Sequence, residues 1–108
     1  MSVDSVILHN VSELLPNVST AQLGYLLAVT RHRTWAEAAR SLGVTPSALS
    51  QGIAELERRL GVPLFAVDGR RRVPYPHTAT VAACAQRVLA DLGETARWLQ
   101  AVGAGRVG

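Results

Sequence analysis

The sequence contains no lysine, so all eleven of its basic residues are arginines. Arginine stays protonated and presents a fork of donors that fits phosphates and guanine edges, which suits nucleic acid. The formal net charge is +3 and the sequence pI is near 10.0, in keeping with that interpretation. Codon bias in a GC-rich genome also favours arginine, so composition alone leaves both explanations open.

Cysteine is represented by Cys84 alone, which excludes an internal disulfide framework and fits a reducing cytoplasm. No apolar run is long enough to cross a bilayer, and the first residues lack the basic segment of a signal peptide. We therefore expect a cytoplasmic protein without a membrane partner. The 108 residues suffice for one domain with a modest core.

The sequence offers no pattern typical of an enzyme. His9, His32 and His77 lie far apart without metal-ligand spacing, and no paired carboxylates or glycine-rich phosphate loop are present. Cys84 falls inside a predicted helix without a neighbouring histidine, which favours a small buried or interface residue over a redox sensor. We predict no catalytic residue, no metal site and no cofactor.

Two capped helices with a sharp turn between them occupy residues 34–60. Thr34 is a good N-cap for the first helix, and Gly43 ends it where a positive φ is favoured. Thr45 caps the second helix, and Pro46 takes its first position. Residues on one face of that helix are apolar at spacings of four, three and four, namely Leu49, Ile53, Leu56 and Leu60. The pattern is typical of a helix-turn-helix, with an ordinary αα corner as the alternative.

A two-stranded β wing is predicted after Gly61. Residues 62–67 are β-prone, Asp68-Gly69 indicates a tight turn, and residues 73–75 would form the returning edge strand. Three arginines then lie at the tip of the wing, where they would reach phosphates or a narrow minor groove: Arg70, Arg71 and Arg72. A solvated charge run is the alternative.

A further helix precedes this pair, capped by Ser19-Thr20 and running from Ala21 to about His32. Its core side carries apolar residues and Thr30, and we expect Trp35 to anchor the first and second helices to each other. Residues 19–76 would thus form a mainly α domain with a three-helix core and a two-stranded wing, a winged helix-turn-helix. Residues 1–18 form an arm with a possible short helix up to Pro16, an unstructured tail being the alternative.

Residues 77–102 predict one long helix, followed by a flexible tail at residues 103–108. Spacings of four and three alternate along it in a heptad seam that also includes Thr95. We predict that this helix pairs two copies of the chain, with six seam residues at the dimer interface: Val81, Ala85, Val88, Leu92, Leu99 and Val102. A helix folded back on its own domain is the alternative.

The run from about residue 20 to 100 strongly resembles the N-terminal winged helix-turn-helix domain and linker helix of LysR-type transcriptional regulators. The motifs that carry the resemblance are highly specific as a set: Ala38-Ala39 before Leu42, Val44-Thr45, Ala48-Leu49-Ser50, Leu56-Glu57 followed by Leu60-Gly61-Val62-Pro63-Leu64-Phe65, and Gly69-Arg70-Arg71.

The resemblance implies how the chain would bind DNA. The second helix of the pair would enter the major groove, with Thr45, Pro46, Ser47, Ser50 and Gln51 meeting bases and phosphates. Thr34 would hold a phosphate, and the wing arginines would reach the adjacent minor groove. Gln51 stands where the family often has arginine, and glutamine pairs with adenine, so we expect a shifted base preference.

The chain departs from the family pattern in four places. A long arm precedes the first helix, and Val67 stands where a basic residue is often found. The usual Leu-Thr-x-x-Gly is replaced by residues 74–78, so we expect a rebuilt start of the long helix. The large effector-binding domain is absent from the 108 residues, and the sequence leaves open whether the chain is an excised domain or a complete short protein.

The sequence therefore predicts a sequence-specific transcriptional regulator that binds a roughly palindromic site on double-stranded DNA. Its predicted partners are DNA, a second copy of itself and RNA polymerase, with dimer and tetramer both open. Two alternatives keep the same fold. The chain would be an interaction module that pairs with a full-length regulator and inhibits it, or a nucleoid-type protein that binds DNA without sequence preference.

Overall fold

The computed structural model describes residues 3–6 and 17–106. Residues 3–6 are helical, and the remainder of the predicted arm helix, residues 7–16, lies outside the described residues. From residue 17 on, the elements are α1 (Thr20–Arg31), α2 (Trp35–Leu42), α3 (Pro46–Leu60), β1 (Phe65–Asp68), β2 (Arg71–Pro74) and α4 (Thr78–Gly103). The predicted fold class is confirmed: a three-helix core, a two-stranded wing and a long C-terminal helix.

The helix boundaries are determined by local caps. The Thr34 Oγ1 accepts a hydrogen bond from the Glu37 backbone N–H at 3.1 Å, and the Thr45 Oγ1 accepts one from the Ala48 N–H at 3.1 Å. Gly43 ends α2 with a φ of 69°, a conformation that L side chains rarely adopt. Each of these boundaries lies where the sequence predicts it, because caps act within a few residues.

The core lies where α1, α2 and α3 meet. Its buried residues are Leu26, Ala28, Val29, Ala38, Ala39, Leu49, Ile53, Leu56 and Leu64. The small Ala38 and Ala39 allow the helices to approach closely, as the sequence pattern indicates. One expectation for α1 is wrong: Thr30 is exposed and donates its hydroxyl to the Leu27 carbonyl, while Val29 is buried. The face of α1 that packs on the core therefore includes Val29 and excludes Thr30.

Gly52 brings α3 against α1. A Cβ built at this position would lie 2.2 and 2.3 Å from two ring carbons of Tyr25. Real Cβ atoms do not approach other atoms so closely, so only glycine admits the ring in this position. Gly52 is therefore a point of close contact between α3 and α1, and it directly follows Gln51, the candidate base-contacting residue.

The wing is an antiparallel hairpin in which Asp68 pairs with Arg71 and Val67 pairs with Arg72. The two residues between the strands are Gly69, with a φ of 63°, and Arg70. The turn thus lies one residue later than the predicted Asp68-Gly69, and β2 begins at Arg71. As a result only Arg70 lies in the turn, which corrects the prediction that all three arginines lie at the tip.

The backbone of Leu64 joins the wing to both neighbouring helices. Its N–H donates to the Glu57 Oε2 at 2.6 Å, and the same oxygen accepts from the Phe65 N–H at 3.2 Å. Its carbonyl accepts from the Tyr75 N–H at 2.9 Å and from the buried Thr78 Oγ1 at 2.6 Å. These bonds connect α3, the hairpin and α4 through the backbone of a single residue.

Residues 75–78 form the entry into α4, where we expect a junction that differs from the family's usual one. The Tyr75 and His77 rings are stacked at 5.6 Å with an interplanar angle of 7°. The His77 Nε2 donates to the Pro63 carbonyl at 2.5 Å. Thr78 begins the helix, and its hydroxyl donates to the Leu64 carbonyl. Side chains of two consecutive residues therefore bond the start of α4 to the segment before β1.

The first turns of α4 pack on the chain's own core. Ala85 is 0% exposed, and Val81 and Ala82 pack against the buried cluster. With the domain folded in this way, Ala85 has no surface with which to contact a second copy, and Val81 is engaged by its own domain. The predicted dimer seam is corrected accordingly at Ala85, whereas Val81 is only partly buried and its interface role stays a prediction.

Beyond Ala85 the helix carries its apolar residues on the surface: Val88 is 38% exposed, Leu92 50%, Leu99 55% and Val102 40%. Cys84 is also exposed, so of the two expected positions it is not buried within the chain, and an interface position stays a prediction. At the end of α4, Arg106 N–H donates to the Ala101 carbonyl and Gly105 N–H to that of Val102. This is the Schellman pattern, so residues 103–106 of the predicted flexible tail form a capping turn.

Candidate nucleic-acid interface

An open cleft of about 430 Å³ lies between the starts of α2 and α3 and the hairpin. Its lining residues are Arg33, Thr34, Trp35, Pro46, Ser50, Arg70, Arg71 and Arg72. Six of them are sequence-predicted DNA contacts, and they come from three separate segments of the chain. The fold therefore brings together residues that lie up to 38 positions apart, from Thr34 to Arg72.

The three other predicted contacts lie on the exposed surface of α3 beside the cleft. Ser47 and Gln51 are exposed and four residues apart, which places them as neighbours on one helical face. Thr45, also exposed, caps the helix. This face is short, polar and uncharged, so an acceptor-rich groove edge can approach it without charge repulsion.

Two helix N-termini open toward the cleft, since Thr34 caps α2 and Pro46 begins α3. The first N–H groups of a helix carry partial positive charge and favour an anion such as phosphate. Each cap threonine uses its oxygen as an acceptor for the helix, which leaves the hydroxyl proton to be donated outward. The polar groups of the cleft are thus arranged as donors.

The arginines at the C-terminal half of α3 are engaged in a different way. Glu55 forms ion pairs with Arg58 and with Arg59, the latter at 2.6 Å, and Arg59 also donates to the Asn17 carbonyl at 2.7 Å. Hydrogen bonds from Arg58 and then Arg59 hold the pKa of Glu55 below its ordinary value, and Glu55 raises the pKa of Arg58. Positive charge here is compensated, whereas the cleft carries four arginines and no carboxylate among its lining residues.

Arg72 occupies the inner wall of the cleft. Its guanidinium carbon lies 4.3 Å from the centroid of the Trp35 ring, and its Nη2 donates to the Ser50 Oγ at 3.5 Å. Trp35 in turn packs edge-on against Phe65 of β1, with centroids 5.2 Å apart. The described ring contacts of Trp35 are therefore to the wing, whereas the sequence analysis expected it to anchor α1 to α2.

Sequence reasoning missed Arg33 as a cleft residue and missed the contact between Trp35 and Arg72. Arg33 directly precedes the cap residue Thr34, so its position beside a predicted phosphate contact was a usable signal. The Trp35–Arg72 contact had no such signal, since the residues are far apart in sequence and approach only through the tertiary fold.

Within the described residues, no group of three or more His, Cys, Asp or Glu side chains is placed to hold a metal ion. Among the helices that the structure describes, none has the length and apolar character needed to span a membrane.

Comparison with known proteins identifies similar chains. The family model for the bacterial regulatory helix-turn-helix protein, lysR family, matches residues 20–83. The chain is 49% identical over 49 residues to the uncharacterized HTH-type transcriptional regulator YybE of Bacillus subtilis, covering 45% of this chain and 17% of that protein. It is 38% identical over 75 residues to the probable hydrogen peroxide-inducible genes activator of Streptomyces viridosporus, covering 69% and 24%. The chain thus spans a minor part of each regulator.

The fold is similar to that of the CbnR DNA-binding domain in its crystal structure with DNA. The TM-score is 0.71 at 26% sequence identity, and the match covers 80% of this chain and 99% of that domain. The match therefore extends over nearly the whole of a solved DNA-binding domain.

Proposed function

Because the chain belongs to the lysR family of bacterial regulatory helix-turn-helix proteins, we propose that it binds a specific double-stranded DNA sequence as a dimer and regulates transcription. The observation that carries this proposal is the cleft, in which four arginines and two helix N-termini meet beside an uncharged helix face. Charged donors supply affinity for phosphates, while the neutral face of α3 supplies discrimination between bases.

In the proposed complex α3 lies in the major groove. Thr45, Pro46 and Ser47 at its start meet the backbone and the first bases, and Ser50 and Gln51 follow one turn later. Thr34 holds a phosphate from the start of α2. Arg70 and Arg71 reach the backbone or the adjacent minor groove, while Arg72 faces the cleft. The exposure of Gln51 and the bidentate match of glutamine to adenine support an A·T pair at the corresponding position.

The exposed stripe of α4 supports the proposed dimer. Val88, Leu92, Leu99 and Val102 are all more than a third exposed, and together with Thr95 they recur at spacings of four and three that a paired helix buries. A contiguous apolar surface of this kind marks an interaction site. Two copies related by a two-fold axis would present two α3 helices to a roughly palindromic site.

The dimer is tested by replacing two stripe residues together, Leu92→Glu and Leu99→Glu, and measuring the molar mass in solution by light scattering. The wild-type chain should have twice the monomer mass, and the double variant should have the monomer mass. Val62→Glu is the control, because Val62 is also exposed (43%) but lies outside α4. Loss of the dimer in the control, or its survival in the double variant, would contradict the proposed surface.

DNA binding is tested by selecting duplexes from a random library with the purified chain and measuring affinity for the selected duplex. Unrelated duplex of equal length serves as competitor across a salt series. We expect the selected duplex to be retained and its affinity to fall steeply with salt. For each neutralised phosphate, the logarithm of the binding constant should fall by about 0.9 per tenfold increase in salt concentration. Equal loss to any duplex would indicate nucleoid-type binding. No binding at low salt would contradict DNA binding and favour an interaction module.

The role of Gln51 is tested in the same selection with Gln51→Ala. The preference at one position of the site should relax, while affinity for phosphates and the salt dependence remain. Gln100→Ala, an exposed glutamine near the end of α4, is the matched control and should leave the selected sequence unchanged. An unchanged selected sequence with Gln51→Ala would disprove the base contact.

A further inference from the structure

Arg72 joins its own strand, β2, to two helices of the core. It lies on β2, its guanidinium covers the Trp35 ring at 4.3 Å at the start of α2, and its Nη2 points at Ser50 of α3. The other side of the same junction is formed by Phe65 of β1, edge-on to Trp35. The wing is thus attached to the helix pair through one aromatic ring with a residue of each strand against it.

The hairpin needs such an attachment. A two-stranded hairpin alone is marginally stable in water, and every residue of β2 is exposed. Arg71 and Arg72 both line the cleft, but neighbouring residues of a strand leave the backbone on opposite sides of the ribbon. Only Arg72 is directed at Trp35, and Arg71 provides a natural comparison.

A second consequence concerns Ser50. Its oxygen accepts from Arg72, so its own proton is left to be donated elsewhere, toward the open side of the cleft. A hydroxyl held in this way acts as a donor and favours an acceptor on the base edge or phosphate opposite. The Arg72 guanidinium would therefore influence both the position of the wing relative to α3 and the role of the Ser50 hydroxyl as a hydrogen-bond donor.

We propose that Arg72 is a positioning residue for sequence discrimination, which clamps Trp35 and so fixes the wing relative to α3. This proposal rests on the proposed DNA binding for its functional part, but the clamp itself is a property of the free protein. A phosphate-contacting arginine acts through its charge, which lysine retains. A clamp that covers an aromatic ring and bonds Ser50 at the same time uses the flat, forked guanidinium, which the compact ammonium of lysine replaces only in part.

The clamp is tested in the free protein by amide hydrogen exchange in β1 and β2. Arg72→Lys and Trp35→Leu should each accelerate exchange about threefold to tenfold, the range expected from loss of a cation–π contact. Arg71→Lys carries the same substitution on the opposite face and should leave exchange unchanged. Trp35→Phe keeps an aromatic ring and should give an intermediate rate, and it replaces Trp35→Leu if thermal unfolding shows that the leucine variant does not fold.

The role in discrimination is tested with the selected duplex and an unrelated duplex of equal length. Arg72→Lys should lower the ratio of the two affinities about threefold to tenfold, while the salt slope stays at the wild-type value because the charge is retained. Arg87→Lys, at an exposed position of α4 outside the cleft, should keep the ratio. The double variant Arg72→Lys with Trp35→Phe should lose less than the sum of the two single variants, since the two residues share one contact.

Each outcome decides a different step. Unchanged exchange in Arg72→Lys would overturn the clamp. Faster exchange with an unchanged affinity ratio would leave the clamp and overturn its role in discrimination. If the wild-type chain binds no DNA, the proposed function fails and the discrimination role fails with it, whereas the exchange data still confirm or overturn the clamp.

Discussion

The helix-turn-helix and the wing junction are held by different forces. Where α1 and α3 meet, Leu26, Leu49 and Ile53 are almost completely buried, so non-directional apolar packing maintains the contact. At the wing junction, the backbone of one residue, Leu64, bonds to Glu57 and Thr78. The difference teaches that α3 is supported by extensive packing, whereas the position of the wing depends on a few directional bonds.

The largest effect on stability is expected from Gly52→Ala, which disturbs the apolar packing between α1 and α3. The new methyl group would overlap the Tyr25 ring, and moving that ring should lower the free energy of unfolding by about 1–3 kcal/mol. Gly24→Ala is the matched control, since a Cβ there meets nothing within 4 Å. It should raise stability by about 0.5–1 kcal/mol. Urea unfolding measures both, and equal effects would contradict the Tyr25 contact.

The next largest effect is expected at the wing junction from Thr78→Val, which keeps the side-chain shape and removes the hydroxyl that bonds the Leu64 carbonyl. The Leu64 carbonyl retains its bond from Tyr75, so we expect a loss of about 1–1.5 kcal/mol. Thr95→Val also removes a hydroxyl bonded to a backbone carbonyl, but at an exposed site, and should change stability by less than about 0.5 kcal/mol. A Thr78→Val loss no larger than that of Thr95→Val would show that the junction bond contributes little.

A smaller effect is expected from Glu57→Gln. Glutamine retains a carbonyl oxygen for the Leu64 and Phe65 N–H groups but removes the negative charge that strengthens both bonds. We expect a loss of about 0.5–1 kcal/mol, with faster amide exchange in β1. Glu94→Gln, at an exposed position of α4, should change neither quantity. Unaltered β1 exchange in Glu57→Gln would argue that the wing is held by packing.

The smallest effect concerns pH. Arg58 and Arg59 hold the pKa of Glu55 below its ordinary value in the folded chain. The ionised carboxylate therefore stabilises the fold above its unfolded pKa, and this contribution disappears as the pH falls through the lower folded pKa. The difference in thermal midpoint between the wild type and Glu55→Gln should thus shrink on acidification and on adding salt. A difference that stays constant from neutral to acidic pH would contradict the ion pairs.

Local and periodic features were predictable from the sequence. Caps at Thr34 and Thr45 act within one turn, and the apolar stripe of α3 repeats along one face, so both follow from short stretches of chain. That Thr34, Ser50 and the wing arginines share a site was implied by the resemblance to the LysR-type domain, and the cleft brings them together.

Features that depend on the tertiary fold were not predictable. The turn begins one residue later than expected, and Arg72 lies against Trp35, a contact between residues 37 positions apart that forms only in the tertiary fold. The heptad seam correctly placed Ala85 on the same face as Leu92. Only the fold reveals that α1 covers the first turns of α4 and leaves the later ones exposed.

Because α4 extends far beyond its packed turns, a small rotation at its start, where Leu64 bonds to Thr78, moves its far end by a large distance. From Ala85 to Val102 the helix extends roughly 26 Å past its last buried contact. A rotation of ten degrees at the base would therefore displace the far end by about 4–5 Å, more than one base-pair step of a duplex. In the proposed dimer, the stiffness of the bonds at Leu64 and Thr78 would decide how accurately two α3 helices are spaced along DNA.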